Sequence, residues 1–555
     1  MKTDWYKDAV FYEVQVRAFC DGNGDGKGDL AGLTSKLDYL QALGVDTIWM
    51  LPIFPSPLRD DGYDVADYTS IHSHFGDLED FKGLLEAAHV RGLRVLVELV
   101  VNHTSDQHPW FQASRDPNHP EHAKYRDWYV WSDTDDQYRG VRIIFLDTEP
   151  SNWSFDPVRG QYFWHRFFSH QPDLNYDNPE VQRAMLKAVQ YWIDLGVDGF
   201  RVDAPPYLIE REGTSCENLP ETHAYCKRLR AFVDAYAPGT FLLSEANMWP
   251  EDVIEYYGDG DEFHMNFHFP LMPRIFMALA KQDRSDIEAI MARTPALPEG
   301  CQWGTFLRCH DELTLEMVTL DDRKFMWDFY APEARMRLNL GIRRRLAPLL
   351  QNDRAAIEVA NSMLLTFVGS PVLYYGDEIG MGDNIWLNDR DGVRTPMQWN
   401  AGPNAGFSEA PAEAEAPAEA EAPAEALFIP LIDDEVFGYR RVNVAAQEVD
   451  PDSLLNRMRM LLKVRKQYPV FGRGSMALLD AAPHSVLAYR RDYDGETLVV
   501  VNNLAPEEVT VTLPLAEFKG RTPVDVLNGE ALSAIEGESY SLGLPRYGYR
   551  WLRLV

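Results

Sequence analysis

Apolar residues along this chain fall into two recurring textures. Short unbroken runs rich in β-branched residues read as buried strands, and between them lie stretches whose apolar positions recur at helical spacing. Val10–Val16, Thr47–Pro52 and Arg94–His103 are the first three runs. Between the first two, Thr34 is expected to cap a helix that carries Leu37, Leu40 and Leu43 on one face and stops at Gly44. Between the second and third, Asp77 caps a helix with Phe81, Leu84, Leu85 and Ala88 inward and Gly92 at its end. Hydrophobic strands alternating with helices mean parallel βα units. From 105 to 172 that rhythm breaks into a stretch rich in Trp, His, Asp and Pro, which predicts an inserted subdomain. Asn178-Pro179 restarts it as cap and first helical residue, with Val181, Met185, Val189 and Trp192 on the buried face and Gly196 as the stop. Five more strands are expected at Gly199–Ala204, Thr240–Ala246, around Met265–Phe269, at Thr305–His310 and at Pro371–Tyr375.

Eight parallel strands with intervening helices imply a (β/α)8 barrel, whose functional groups gather at the C-terminal ends of the strands. Leu454–Tyr468 reads as its last helix. Beyond it the period drops to two, with strands at Val486–Arg490, Leu498–Asn502 and Val509–Leu513 and a hairpin signal at Asp494-Gly495. The predicted organisation is a barrel formed by 1–104 and 173–470, an insertion at 105–172 after the third strand, and a C-terminal antiparallel β-sandwich at 471–555. Within the barrel, 409–426 is a low-complexity EAPAEA repeat with Pro411, Pro417 and Pro423 six apart. Nothing there exceeds alanine in apolar size, so it is expected to be a flexible or partly extended surface insertion without a catalytic role.

Composition narrows the class. The 555 residues are 45% hydrophobic and carry a net charge of −33. Removing the repeat's six glutamates leaves the chain strongly acidic, which argues against nucleic acid or an anionic membrane as partner. Cys20, Cys216, Cys226, Cys301 and Cys309 are an odd number without metal-site spacing, and MKTDWYKDAV lacks an apolar leader core; both suit a reduced cytoplasm. No apolar run approaches membrane-spanning length.

The candidate chemistry lies at the strand ends. Asn102 and His103 end the third strand, Arg201 and Asp203 the fourth, Glu245 the fifth, and His310 and Asp311 the seventh. Arg201 and Asp203 are two apart and leave one face of their strand, so a cation stands beside the carboxylate and keeps it ionised. A strand-end His or Glu taken singly is more often structural; all of them on one barrel rim form a carboxylate site. Two carboxylates, one a nucleophile and one an acid/base, are the equipment of retaining glycoside chemistry. Asp21, Asn23, Asp25 and Asp29, interleaved with glycines, present oxygens suited to Ca²⁺ or Mg²⁺, although the bidentate twelfth-position Glu of an EF-hand is missing.

The motifs DTIWMLP (46–52), VVNH (100–103), GFRVD (199–203), SEA (244–246) and HD (310–311) together resemble the α-amylase superfamily of glycoside hydrolases and transglycosylases, over essentially the whole chain. The resemblance implies that Asp203 is the nucleophile, Glu245 the general acid/base and Asp311 the holder of the sugar 2- and 3-hydroxyls. It implies that His103, Arg201 and His310 donate hydrogen bonds, that Tyr63 stacks on a glucose ring, and that Asp60 pairs with Arg394 to close the pocket for exo action on short α-glucosides.

The segments at 147–153, 171–176, 204–208 and 210–223 are similar to the trehalose synthases, a subfamily that interconverts maltose and trehalose. That similarity implies an intramolecular transglucosylase acting on maltose, trehalose and glucose, with minor hydrolysis, and self-association as a homodimer. It also implies a structural Ca²⁺ held by Asn102, Asp173, Glu210 and the carbonyls of Tyr207 and Leu208. Asn247 and Glu316 stand as candidates for the second sugar's subsite, with a purely structural role an equal alternative. A hydrolytic exo-acting α-glucosidase, or a sucrose- or maltose-type isomerase, remains the alternative on the same carboxylates. A catalytically silent sugar-binding protein is the rival of another class. The relatives compared lack the EAPAEA tract.

Overall fold

The computed structural model describes residues 4–409 and 427–555, so the expectation for the EAPAEA repeat falls outside the described residues. Eight parallel strands close into a barrel: β1 (Phe11–Val14), β2 (Thr47–Met50), β3 (Arg94–Val100), β4 (Gly199–Asp203), β5 (Phe241–Ser244), β6 (Met265–Phe267), β7 (Gln302–Phe306) and β8 (Ser370–Tyr374). Each pairs with its sequence neighbours, and β1 pairs with β8 to complete the ring. β2 through β8 are buried at almost every position, as strands sandwiched between a filled interior and covering helices must be.

The helix signals translate into local hydrogen bonds. Asp77 forms a reciprocal capping box with Asp80 at the start of Leu78–Val90, and Asn178 caps Pro179–Leu195 through Glu180 N. The latter helix ends on Gly196 at φ 106°, a left-handed backbone that glycine adopts without cost. Thr34 is not a cap. It lies inside Leu30–Ser35 and donates to Leu30 O, while Asp29 caps that helix by accepting from Gly32 N. A carboxylate outcompetes the hydroxyl for the free N–H groups of the first turn. The leucine-faced helix is the separate segment Leu37–Leu43, stopped by Gly44.

Between β3 and β4 the chain forms the helices Pro109–Arg115 and His122–Tyr125 and a three-stranded antiparallel sheet from Trp131–Ser132, Trp153–Asp156 and Gln161–Trp164. At the other end, a five-stranded sheet and a two-stranded sheet (Val509–Leu513 with Tyr540–Leu544) enclose their own apolar core. Leu487, Tyr489, Val500 and Trp551 on the opposite face of the larger sheet join the barrel core instead. Among the described residues no helix is long and apolar enough to cross a membrane.

Candidate active site

β4 carries the centre of the site. Asp203 is its last residue, and Ala204 behind it takes a left-handed backbone (φ 50°) before Pro205, a sharp exit that turns the chain away from the carboxylate. Arg201, buried on the same strand face, donates from Nη1 to Asp203 Oδ1 (2.6 Å) and to Glu98 Oε2 (3.1 Å), and its Nη2 meets Glu245 Oε2 at 2.6 Å. One guanidinium thus ties both carboxylates together from beneath. Burial pushes Asp203 up to about 6 against the pull of Arg201. Burial also lifts Glu245 to about 7; Arg201 opposes it, and the neighbouring Asp203 and Asp311 add to it. Asp203 and Glu245 are close enough to share a hydrogen bond, tighter than the roughly 6.5–9.5 Å that inverting glycosidases keep for a water.

Asp311 is the third carboxylate. It faces His310 Nε2 at 3.1 Å, and its Oδ1 accepts from Arg390 Nη1 (2.8 Å) and Arg394 Nη2 (3.1 Å). Burial would raise it, but His310 and the two arginines hold it well below the ordinary range. Three acids in one pocket are therefore set apart by their surroundings: one fixed as carboxylate, one poised near 6 and one near 7.

Asp203, Glu245, His310 and Asp311 line one cavity together with Asp60, Tyr63, His103, Asn247, Glu316 and Arg390. His103 is buried and held neutral, near 3, by desolvation. Tyr63 stacks on His310 (5.3 Å between rings, 10° apart) and donates to Glu98 Oε1 at 3.0 Å. Arg201 and Arg394 stand behind this lining.

The expected pairing of Asp60 with Arg394 is not found. Asp60 Oδ1 accepts from Arg390 Nη2 at 2.7 Å, and Arg394 pairs with Asp61 Oδ2, also at 2.7 Å. The cause is the Asp60-Asp61-Gly62 turn. Asp61 (φ 46°) and Gly62 (φ 105°) are left-handed, so adjacent carboxylates diverge, one toward Arg390 and Gln171, the other toward Arg394 and Arg17. Arg390 and Arg394 flank the one-turn helix Asp391–Val393 and meet them in the same order.

Sequence reasoning also missed groups around the pocket. Arg142, from the insertion, reaches Glu217 (2.8 Å), Glu316 (3.1 Å) and the Tyr207 hydroxyl (3.2 Å), the last two of which line the cavity. Glu217 also accepts from the buried Arg166 at 2.6 Å. Beneath the site lie Glu13 on β1 and Glu98 on β3, both fully buried. Their signal was visible in FYEVQV and RVLVELVV: a carboxylate inside an apolar strand demands a cation or donors.

The two expected cation sites differ. At the junction of barrel and insertion, Asn102 Oδ1, Asp173 Oδ2 and Glu210 Oε1 are buried oxygens without a hydrogen-bond partner. Burial raises Asp173 well above its usual range, and Glu210 rises for the same reason and through repulsion from Asp173. That donor set fits a hard cation. In the Asp21–Asp29 loop, Asp21 accepts from the backbone of Asn23, Gly24 and Gly26, and Asp29 from Gly22, Asn23 and Gly32, so these carboxylates already organise the turn. Among the described residues no three His, Cys, Asp or Glu side chains gather as a metal-binding group.

Fold and site together define a barrel enzyme of glycoside chemistry. Residues 14–329 and 342–474 match the family model for the α-amylase catalytic domain, and 476–551 that for the C-terminal domain of maltogenic amylases. A trehalose synthase of a Pimelobacter species is 55% identical over all of this chain and 96% of its own length. A trehalose synthase/amylase of Mycobacterium tuberculosis is 55% identical over 99% of this chain and 90% of its own. The crystal structure of the trehalulose synthase MutB from Pseudomonas mesoacidophila superposes with a TM-score of 0.78, at 28% identity and 99% coverage of both chains. The chain belongs to the α-amylase family and, within it, to the trehalose synthases.

Proposed function

We propose that this chain interconverts maltose and trehalose by intramolecular glucosyl transfer. The observation that carries the reading is a pocket lined by Asp60, Arg390 and Glu316, the first two paired and the last held by Arg142, around two carboxylates held on one guanidinium. The names of the relatives, which are trehalose synthases, support the choice of sugars.

In this reading the non-reducing glucose of maltose sits against Asp60, Tyr63 and Asp311. Asp203 attacks its C1, the glycosidic C1–O bond breaks, and Glu245 gives its proton to the departing oxygen. The released glucose stays enclosed and turns. Its own anomeric hydroxyl then attacks C1 and returns the proton to Glu245, and the ester to Asp203 breaks. Two displacements retain the configuration and give the α,α-1,1 linkage, with no water consumed and no net proton exchanged. Arg201 and His310 supply positive charge where negative charge develops. Transfer without hydrolysis requires this lining to exclude water while the glucose turns, and occasional water attack yields free glucose as by-product.

Asn102, Asp173, Glu210 and the carbonyls of Tyr207 and Leu208 would hold a structural Ca²⁺ that pins the insertion to the barrel. A second cation, Ca²⁺ or Mg²⁺, belongs to the Asp21–Asp29 loop in the same proposal. All five cysteines are unpaired thiols, which suits residence in the cytoplasm, and a homodimer is the proposed assembly.

The test is incubation with maltose alone, following anomeric protons by NMR. A growing α,α-1,1 signal with little glucose is expected. Glucose without trehalose would make the protein a hydrolytic α-glucosidase, and unchanged maltose would move the search to other α-glucosides, sucrose first. An Asp203→Ala variant that keeps full activity would sink the assignment of the nucleophile.

A further inference from the structure

Glu13 is a carboxylate in a place where a carboxylate is costly. It lies in the middle of β1, inside the closed barrel, opposite Trp49 of β2 and Tyr374 of β8 in register, and is fully buried. The other deep carboxylate, Glu98, is answered by Trp49 Nε1, the Tyr63 hydroxyl and Arg201. For the Glu13 side chain, the polar partners among the described residues all belong to His310. Its Oε1 accepts from the His310 backbone N (3.2 Å) and stands 2.5 Å from His310 Nδ1, and its Oε2 has no partner. On the far side of the same ring, Nε2 faces Asp311 Oδ2 at 3.1 Å and the Tyr63 oxygen at 2.9 Å.

Two carboxylates therefore bracket one imidazole. A neutral ring has one N–H and would turn a lone pair on one of the two anions. An imidazolium satisfies both, with Nδ1–H on Glu13 and Nε2–H on Asp311, and Tyr63 is free to donate to Glu98 while its lone pair meets Nε2–H. Every hydrogen bond around His310 is consistent with that single protonation state.

We propose that Glu13 is a positioning residue for glucosyl transfer: from inside the barrel it fixes His310 as an imidazolium whose Nε2–H is turned on Asp311 and on the sugar hydroxyls that Asp311 holds. This rests on the reading of the pocket as a glucosyl-transfer site. The electrostatics agree. Burial works against charge on His310, but Asp311 and Glu13 outweigh it and raise the group to about 9. The other charged groups around the ring are Glu98 of β3, Arg201 of β4, Glu245 beyond β5, and Arg394, which donates to the His310 carbonyl. Glu13 and Asp311 are the two carboxylates in direct contact with its nitrogens.

The experiment compares Glu13→Gln with wild type on 4-nitrophenyl α-glucoside, which reads bond cleavage whichever acceptor follows. Glutamine keeps the acceptor and removes the charge. At pH 8 kcat should fall by about tenfold or more, within the roughly hundredfold to thousandfold that loss of a whole electrostatic donor costs. The ratio of variant to wild type should then rise as pH falls to 5.5, because His310 regains its proton; the Asp203 limb occurs in both proteins, and a neutral His310 moves the Glu245 limb up, which favours the variant at alkaline pH and so does not produce that rise. Glu13→Asp, which keeps the charge, should follow the wild-type pH dependence. A ratio constant with pH, or undiminished activity, would overturn the proposal.

Should Glu13→Gln fail to fold, NMR of wild type labelled at histidine ¹³Cε1 decides instead, with the His310 signal assigned by its absence in His310→Asn. It should remain that of an imidazolium through pH 8, and a midpoint near the ordinary value of about 6.5 overturns the proposal. If wild type cleaves neither maltose nor the aryl glucoside, the glucosyl-transfer reading fails, while this titration still decides whether Glu13 holds the charge on His310.

Discussion

The end wall of the pocket offers a quantitative test, because two arginines compete for the role and only one touches Asp60. Arg390 is 7% exposed and makes two charge-assisted bonds, to Asp60 Oδ1 at 2.7 Å and Asp311 Oδ1 at 2.8 Å. Bonds of that kind contribute about 1.5–3 kcal/mol each, so Arg390→Ala removes a gross 3–6 kcal/mol or so. Part of this is relieved. Burial already lifts Asp60 to about 6 against the pull of Arg390 and Arg394, so losing Arg390 raises it further and makes a proton easier to take up. We expect a net effect near the lower end, about 3 kcal/mol, or roughly two decades in kcat/KM for maltose. Most of it should appear in KM, because an unclamped Asp60 no longer grips the terminal glucose. The decisive assay is a pair of double-mutant cycles, Asp60→Asn with Arg390→Ala and Asp60→Asn with Arg394→Ala. Coupling in the first should reach about 1.5–3 kcal/mol, whereas in the second it should stay below about 1 kcal/mol, since Arg394 acts on Asp60 only through space. Melting curves for each variant separate folding from binding. If Asp60 couples more strongly to Arg394 than to Arg390, the reasoning is wrong and the wall is built as the sequence first suggested.

Other consequences follow from the same geometry. Arg142→Ala breaks contacts to Glu217, Glu316 and Tyr207; its side chain is 41% exposed, so each is discounted to about 0.2–1 kcal/mol, and a total near 1–2 kcal/mol should raise the glucose share of the products several-fold with little loss of maltose consumption, as read by NMR. The kcat/KM profile on an aryl α-glucoside should be a narrow bell: activity is lost as pH falls through about 6, where Asp203 takes up a proton, and as pH rises through about 7, where Glu245 loses its own. Glu245→Gln should abolish the alkaline limb on that substrate and leave the acid limb in place, and a persistent fall near pH 7 would count against Glu245 as the acid. Chelation of the wild-type protein should lower Tm and added Ca²⁺ should restore it, with Glu210→Gln insensitive to both; a wild-type Tm indifferent to chelator would remove the cation from the proposal.

What could be read from the sequence was whatever a periodic pattern or a local cap decides. The eight strands were legible because a strand buried on both faces is apolar at most positions, and Asn178 and Asp77 because a cap and its free N–H groups are neighbours in the chain. Boundaries were less secure where loops stay buried: β7 ends at Phe306, so His310 and Asp311 stand four and five residues beyond it, on a segment whose burial mimics a strand. The pocket's walls were harder still. Asp60 and Asp61 are chemically identical neighbours, and which arginine each meets is decided by two left-handed residues and a one-turn helix more than three hundred positions away. Arg142 was invisible for the same reason, since its partners lie far along the chain, 207 and 217 on the connection after β4 and 316 on the one after β7. Glu13 and Glu98 lie between these cases. A lone carboxylate in an apolar strand announces from sequence that it must be compensated, and only the closure of the barrel shows with what: the groups that compensate them, Arg201 and His310, are themselves bound to the reacting carboxylates. In this barrel the buried charges and the catalytic charges form one network, so the cost of burying Glu13 and Glu98 is bound up with the order of the site above them.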